Sequence, residues 1–296
     1  MVEYSRKATR IDEQLHILNA RGLRTENNLE NQQRLENIGY FKFKGYCLPF
    51  YEDSSNDVFI AESTFEDVYA SYIVDQKLHR ILYGLLSRIE SQLKSIIGSK
   101  IALEYGPLSH YDEKIFRSSQ YQADWLAALN VNENRAQERR ELYVDHYKKV
   151  YEDKVPIWVA LEMATLGTVS KLFSDIRPEL QKEIAVEKYS VPYVYLASWL
   201  QFLTVVRNSC AHNNRTFGRK FSISPKIAKK VKNKCPELEY PTIFTVFYVI
   251  SKVCKSRNFL ISSIEETSSI FANTSNVDIS KFGFPENWRE QIDTLS

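Results

Sequence analysis

Arg207 and His212 stand five positions apart in Arg207-Asn208-Ser209-Cys210-Ala211-His212. One is a permanent cation and the other titrates near neutrality. RNA carries its own nucleophile, the 2′-OH. A proton acceptor or donor together with a phosphate-binding cation is therefore the minimum equipment for cutting it without a metal. Asn208 lies between them in the chain, four residues before the histidine, and completes the candidate catalytic set. Arg215, Arg219 and Lys220 follow directly and are candidates for contacts to an RNA backbone.

The motif closes an apolar stretch that starts after Pro192. On a helical wheel of about 100° per residue, with Trp199 at zero, Phe202, Leu203, Val206 and Cys210 fall within roughly 60° of it. Those residues form the expected core stripe. Asn208, His212 and Arg215 follow i, i+4, i+7 spacing on the opposite side, and Arg207 lies on the border near 80°. The polar line therefore faces solvent, a ligand or a second subunit. An ordinary solvated stripe, with basic residues favoured at a helix C-terminus, would have the same pattern. Cys210, on the core side, reads as a packed thiol.

The elements that must position this motif read as helical. Glycine and proline number nine each, and the stretches between them repeat at 3.6 residues. Helices are expected at about 11–21 and 27–37. The aromatic segment 38–50 alternates like a short strand, but Gly39, Gly45 and Pro49 favour irregular packing. Ser63-Thr64-Phe65-Glu66 has the form of a capping box with Ser63 as N-cap. It opens a helix to about residue 104 with Val74, Leu78, Ile81, Leu82, Leu85, Ile89, Ile96 and Ile97 at core spacing. Residues 119–152 predict two helices, the second heavily charged (Arg135, Glu138, Arg139, Arg140, Glu141) and solvated. Pro156 starts another helix, broken by Gly167, with helices near 168–176, 178–188, 242–255 and 258–271 to follow. Segments 1–60, 61–275 and 276–296 are expected as an N-terminal helical and aromatic element, a helical bundle with a charged excursion, and a docked C-terminal tail, all in one compact domain.

Composition narrows the function. With 39 basic and 37 acidic residues the net charge is only +2, so any nucleic-acid site must be a local patch. No apolar run approaches the ~20 residues of a membrane span. The first residues, Met-Val-Glu-Tyr-Ser-Arg-Lys, are polar and lack an apolar leader core, so a cytoplasmic location is expected. Cys47, Cys210, Cys235 and Cys254 are widely spaced, and His16, His79, His110 and His146 look isolated. No cofactor or metal is expected.

Four ordered segments carry a resemblance. Arg207-Asn208-Ser209-Cys210-Ala211-His212-Asn213-Asn214-Arg215 resembles the R-N-x-x-A-H-x-x-R signature of the Abi-like abortive-infection family, in its AbiD/AbiF group and the wider HEPN superfamily. Ile38-Gly39-Tyr40-Phe41 through Gly45-Tyr46-Cys47-Leu48-Pro49-Phe50 is similar to that family's I-G-Y-Y-R-x-x-G-Y-x-x-P-F element. Arg88-Ile89-Glu90 is similar to its R-I-E element, and Gly283-Phe284-Pro285-Glu286-Asn287-Trp288 to its G-F-P-x-N-W tail. The resemblance implies an all-α fold around a HEPN-type helical bundle with added N- and C-terminal helices. It also implies a bacterial anti-phage role and metal-independent endoribonuclease activity in a homodimer whose motifs meet across the interface. A small non-coding RNA partner that restrains the activity is implied as well.

Two positions depart from the pattern. Thr216-Phe217 stand where family members often have Leu-Trp, a packing change. Asn214 stands where nucleotide-silenced HEPN toxins carry a tyrosine, which argues against that mode of silencing. DNA, lacking the 2′-OH, is not an expected substrate. Glu90 is a candidate support for Arg207, with a plain i, i+4 bridge to Lys94 as the alternative. The lysines Lys226, Lys229, Lys230, Lys232 and Lys234 extend the basic track or coat a solvated helix. A non-catalytic RNA-binding or regulatory scaffold is the alternative to the nuclease.

Overall fold

The computed structural model describes residues 7–138, 140–151, 154–274 and 276–295. Residues 1–6, expected to be polar, and Arg139 of the charged stretch lie outside the described residues. Among the described residues the chain is all-α, with one two-stranded hairpin. In chain order these are α1 (Ile11–Ala20), α2 (Leu29–Ile38), α3 (Tyr40–Cys47), β1 (Tyr51–Asp53), β2 (Val58–Phe59) and α4 (Phe65–Tyr105). Next come α5 (Ser119–Glu138), α6 (Leu142–Val150), α7 (Ile157–Met163), α8 (Leu166–Asp175), α9 (Pro178–Tyr189) and α10 (Tyr193–Ala211). The last are α11 (Lys229–Lys232), α12 (Ile243–Val253), α13 (Arg257–Ala272) and α14 (Trp288–Leu295).

The axis of the structure is α4, with 41 residues. At 1.5 Å per residue it is about 60 Å long. Its apolar stripe, including Leu78, Leu82, Leu85, Ile89 and Ile97, is fully buried. It packs against α3, α7, α10 and α13. α10 lies in turn against α8, α4 and α9, and its stripe of Trp199, Phe202, Leu203, Val206 and Cys210 is buried as the wheel predicts. Buried side chains from Leu15 to Ile292 form one continuous core cluster.

Several local expectations need correction. Segment 40–47 is helical, because Phe43, Tyr46 and Cys47 are spaced to bury one face and Gly39, at φ 82°, makes the turn into it. The cap of α4 is Thr64, one residue later than expected. Its hydroxyl accepts from Asp67 N at 3.1 Å and the Asp67 carboxylate accepts from Thr64 N. Glu66 pairs instead with Arg34 at 2.5 Å. The charged cluster does not make a solvated second helix: Arg135 and Glu138 end α5, and Arg140 turns the chain at φ 58°. Gly167 does not break a helix. Thr165 caps α8, and Gly167 sits in its first turn, where an added Cβ would lie 3.3 Å from the Thr204 methyl. A small residue there lets α8 and α10 approach closely. The lysine-rich stretch forms only the single turn α11, so it presents no continuous basic helix face.

The C-terminal aromatic residues pack against α12 and α13. Phe284 and Trp288 are buried and meet Phe247 and Phe271 at ring separations of 5.0–6.4 Å.

His110, just beyond α4, is fully buried. Its Nε2 pairs with Val155 O at 2.8 Å and its Nδ1 accepts from Trp125 Nε1 at 3.1 Å. Burial pulls its pKa down from 6.5 to about 4. The folded state thus holds the neutral ring, while the unfolded chain takes up a proton below pH ~6.5. Stability is expected to fall as pH drops from about 6.5 toward 4, by on the order of 3 kcal/mol at the acid end. Urea melts of wild type and His110→Asn at pH 7 and 5 check this. The wild type should lose more stability than the variant between the two, and equal losses would refute it.

Candidate functional site

The geometry of the motif follows from how α10 ends. His212 is the C-cap, with its N–H on Asn208 O at 3.0 Å. Asn213 takes the left-handed conformation, φ 51°. Asn213 N then donates to Cys210 O at 3.1 Å and Asn214 N to Ser209 O at 2.9 Å. This double closure is the Schellman arrangement, and asparagine is among the few residues other than glycine that tolerate its left-handed position. The helical line drawn through Asn208, His212 and Arg215 therefore stops at His212. Arg215 leaves the helix and folds back.

Arg207 is half-buried and faces α4. Its Nη2 donates to Glu90 Oε2 at 3.3 Å and its Nη1 to Asn208 Oδ1 at 3.2 Å. The second Glu90 oxygen lies 3.4 Å from Lys94 Nζ. Both contacts weighed for Glu90 are present: one carboxylate bridges the motif arginine and the lysine one turn on. In the same three-residue element, Ile89 is buried and the Arg88 guanidinium stacks on Phe259 at 4.0 Å. The Asn208 side chain is taken by Arg207, and its link to His212 runs only through the backbone. His212 is exposed, with no side-chain partner among the described residues. Cys210 is buried, and that burial raises its pKa to about 12, as a packed thiol requires.

The basic candidates come together. Arg215, Arg219 and Lys220 line a cleft of about 120 Å³ with Ser209 and Asn214. Arg215 is half-buried over Gly45 and donates to Phe217 O at 2.8 Å. Burial and the neighbouring Arg219 charge lower its pKa. Lys220 Nζ sits 3.5 Å from the Tyr240 ring centroid. None of the three has a carboxylate partner among the described residues. The 226–234 lysines do not join this cleft: the Lys226 backbone is held by Trp199 and Ser198 on α10, and Lys232 pairs with Glu239 at 2.9 Å.

A buried node behind the motif escaped the residue pattern. Asp75 on α4 is fully buried. It accepts from Tyr46 Oη at 2.7 Å, from Thr216 N at 2.9 Å and from the Thr216 hydroxyl. His79, one turn on, is not isolated: its Nε2 lies 3.4 Å from Asp75 Oδ1. Burial, and then the Asp75 charge and hydrogen bond, pushes the Tyr46 hydroxyl pKa strongly up. Thr216 is thus more than a packing substitute. Phe217 beside it packs with Tyr46, Phe50 and Phe282. Gly218, at φ 64°, closes on Pro49 and donates to Lys281 O at 2.9 Å. The available signal was Asp75 itself, a carboxylate with His79 at i+4 on an otherwise apolar helix face.

Among the described residues no group of three or more His, Cys, Asp or Glu side chains could hold a metal ion, and no helix is long and apolar enough to cross a membrane.

Fold and site together define an all-α protein with a polar arginine–histidine motif at a helix end, locked to an N-terminal aromatic element. The family model described as Abi-like protein matches residues 33–218, and the chain belongs to that family. The match takes in the aromatic element, Arg88-Ile89-Glu90 and the whole motif, while the 283–288 tail lies beyond it. No curated protein and no solved structure matches the chain.

Removing the acceptor at the node should be costly. Asp75→Ala strands three buried donors and is expected to destabilise by about 3 kcal/mol or more. Asp75→Asn, which keeps one acceptor oxygen, should cost less. Urea unfolding measures both, and an alanine cost under about 1 kcal/mol would contradict the node's structural role.

Proposed function

We propose that this chain is a metal-independent endoribonuclease of the HEPN type, in the AbiD/AbiF group, acting in anti-phage abortive infection. Membership of the Abi-like family supports the defence role. The observation that carries the RNA reading is the cleft of Arg215, Arg219 and Lys220. Three cations without acidic partners gather beside the motif, in a chain whose charges otherwise nearly cancel. Like charges drawn together without direct ion pairs are stabilised by a bound anion, and a phosphodiester backbone supplies one.

In this reading His212 takes the proton of the ribose 2′-OH or gives one to the leaving 5′-oxygen. Its exposure at a helix end leaves it open to a strand. Arg207 stabilises charge developing on the scissile phosphate. Glu90 and Asn208 hold its guanidinium until a phosphate competes for it. The products are a 2′,3′-cyclic phosphate and a 5′-OH, and DNA is not cut.

Arg207 turns toward α4 while His212 ends the helix about 140° around the axis. Two motif helices across a two-fold axis would supply each group to a shared cleft, so the active form is a homodimer. A small non-coding RNA lying along the basic cleft would restrain it.

Cleavage of RNA in excess EDTA tests the reading. Wild type should leave 2′,3′-cyclic ends. His212→Ala should lose about 10²–10⁴-fold and Arg207→Ala about 10²-fold. Mixing the two inactive variants should restore part of the activity if the site is shared between subunits. RNA binding without cleavage, weakened in both variants, would identify a scaffold instead.

The basic cleft has a separate signature. Arg219→Ala with Lys220→Ala should weaken RNA binding whatever the sequence and lower the slope of log affinity against log salt by about 1.4. An unchanged slope would place the strand elsewhere.

A further inference from the structure

A second cleft lies on the other side of the motif end. It has a volume of about 320 Å³ and is lined by Gln76, His79, Arg80 and Tyr83 of α4 and by Cys210, Ala211 and Asn213. His79 is only 5% exposed, and neither of its ring nitrogens has a hydrogen-bond partner. The Asn213 side-chain oxygen is likewise buried and unpaired. The Gln76 side-chain nitrogen is also buried and unpaired. Buried polar groups are nearly always satisfied, so four unpaired atoms around one cleft mark the place of a missing polar partner. Asp75 Oδ1 is the nearest carboxylate oxygen, but at 3.4 Å from Nε2 it makes no hydrogen bond to the ring.

The placement says what that partner is. Along the chain His212 sits between Ala211 and Asn213, which line this cleft, and between Ser209 and Asn214, which line the cationic one. A cleft with three cations on one side and, on the other, a hydrogen-bonding cleft with an aromatic rim whose one cation, Arg80, is paired with Glu266 match the two ends of a nucleotide. The imidazole offers both a donor and an acceptor, the Asn213 carbonyl offers an acceptor, and the half-exposed Tyr83 ring offers a stacking face.

We infer that the cleft formed by His79, Tyr83 and Asn213 is a base-recognition subsite, which reads the RNA base next to the scissile phosphate and so sets where the strand is cut. The inference rests on the nuclease reading and adds its specificity determinant. His79 and Asn213 read the base edge, with the Asp75 carboxylate 3.4 Å from the His79 ring.

The test is sequencing of the 2′,3′-cyclic ends left by wild type, His79→Asn, Asn213→Gly and Tyr83→Ala on a randomised RNA. Asn213→Gly keeps the left-handed backbone, and Tyr83 is at the rim, so these two decide the matter if the buried His79 substitution unfolds the chain. Wild type should favour one base beside the cut by about tenfold, and the variants should flatten this to about twofold or less. Wild-type cleavage with no base preference would overturn the subsite and leave the nuclease standing. So would a preference that survives both Asn213→Gly and Tyr83→Ala. Wild type that neither cuts nor binds RNA would overturn both. Free nucleoside monophosphates are the remaining arm. Binding of one at this cleft, seen by chemical-shift changes at Ala211 that are absent in Asn213→Gly, without any effect on the cut-site preference, would assign the cleft to a free nucleotide and overturn the RNA-base assignment.

Discussion

A single buried carboxylate holds the motif region in place. Asp75 is removed from water in the N-terminal half of the longest helix, and an isolated charge there would be prohibitive. It is tolerated because it accepts from Tyr46 of α3 and twice from Thr216, just after the motif. Three segments far apart in sequence must therefore meet at one point, with their donors correctly directed. Apolar packing alone permits small slides of one helix on another; a carboxylate satisfied by three donors does not. The position of the 213–220 segment, and with it Arg215, Arg219 and Lys220, depends on that node.

Around the node the recurrent sequence elements become one assembly. The aromatic element supplies Tyr46, Phe50 and Pro49. The segment after the motif supplies Thr216, Phe217 and Gly218, and the 279–282 turn supplies Phe282 and the Lys281 carbonyl. Arg215 lies across Gly45 of the aromatic element. The glycines, aromatics and proline in these elements thus act as the mould for a basic cleft. Arg88-Ile89-Glu90 serves the other side of α10, where Glu90 fixes Arg207. The motif is held from both flanks while its histidine is left open.

This arrangement also separates stability from chemistry. Asp75, Tyr46 and Thr216 are buried and mutually satisfied, whereas His212, Arg219 and Lys220 are exposed without acidic partners. His79 belongs to neither group. It is buried like the first and unsatisfied like the second, and it lies where the supporting node meets the open end of the motif.

The helical class, the span of α4 and the core stripe of α10 were legible in the sequence. Each is a local periodicity or a local composition, and burial of an apolar stripe obeys the 3.6-residue repeat wherever the chain lies. The motif residues were legible too, because their chemical types and spacing are properties of a short segment. Where the pattern misled, a longer-range contact had decided. The wheel carried Arg215 onto a helix that a left-handed Asn213 ends, and the 40–47 segment became a helix because its aromatic face had a core to enter. Gly167 stayed inside a helix because α10 needed room. The pairing of Glu90 with Arg207, the gathering of Arg215, Arg219 and Lys220, and the contact of Asp75 with Thr216 across 141 positions were decided by the tertiary structure alone. Charged and hydrogen-bonding groups have no periodicity that reveals their partner; the partner is whichever group the packed helices bring within about 3 Å.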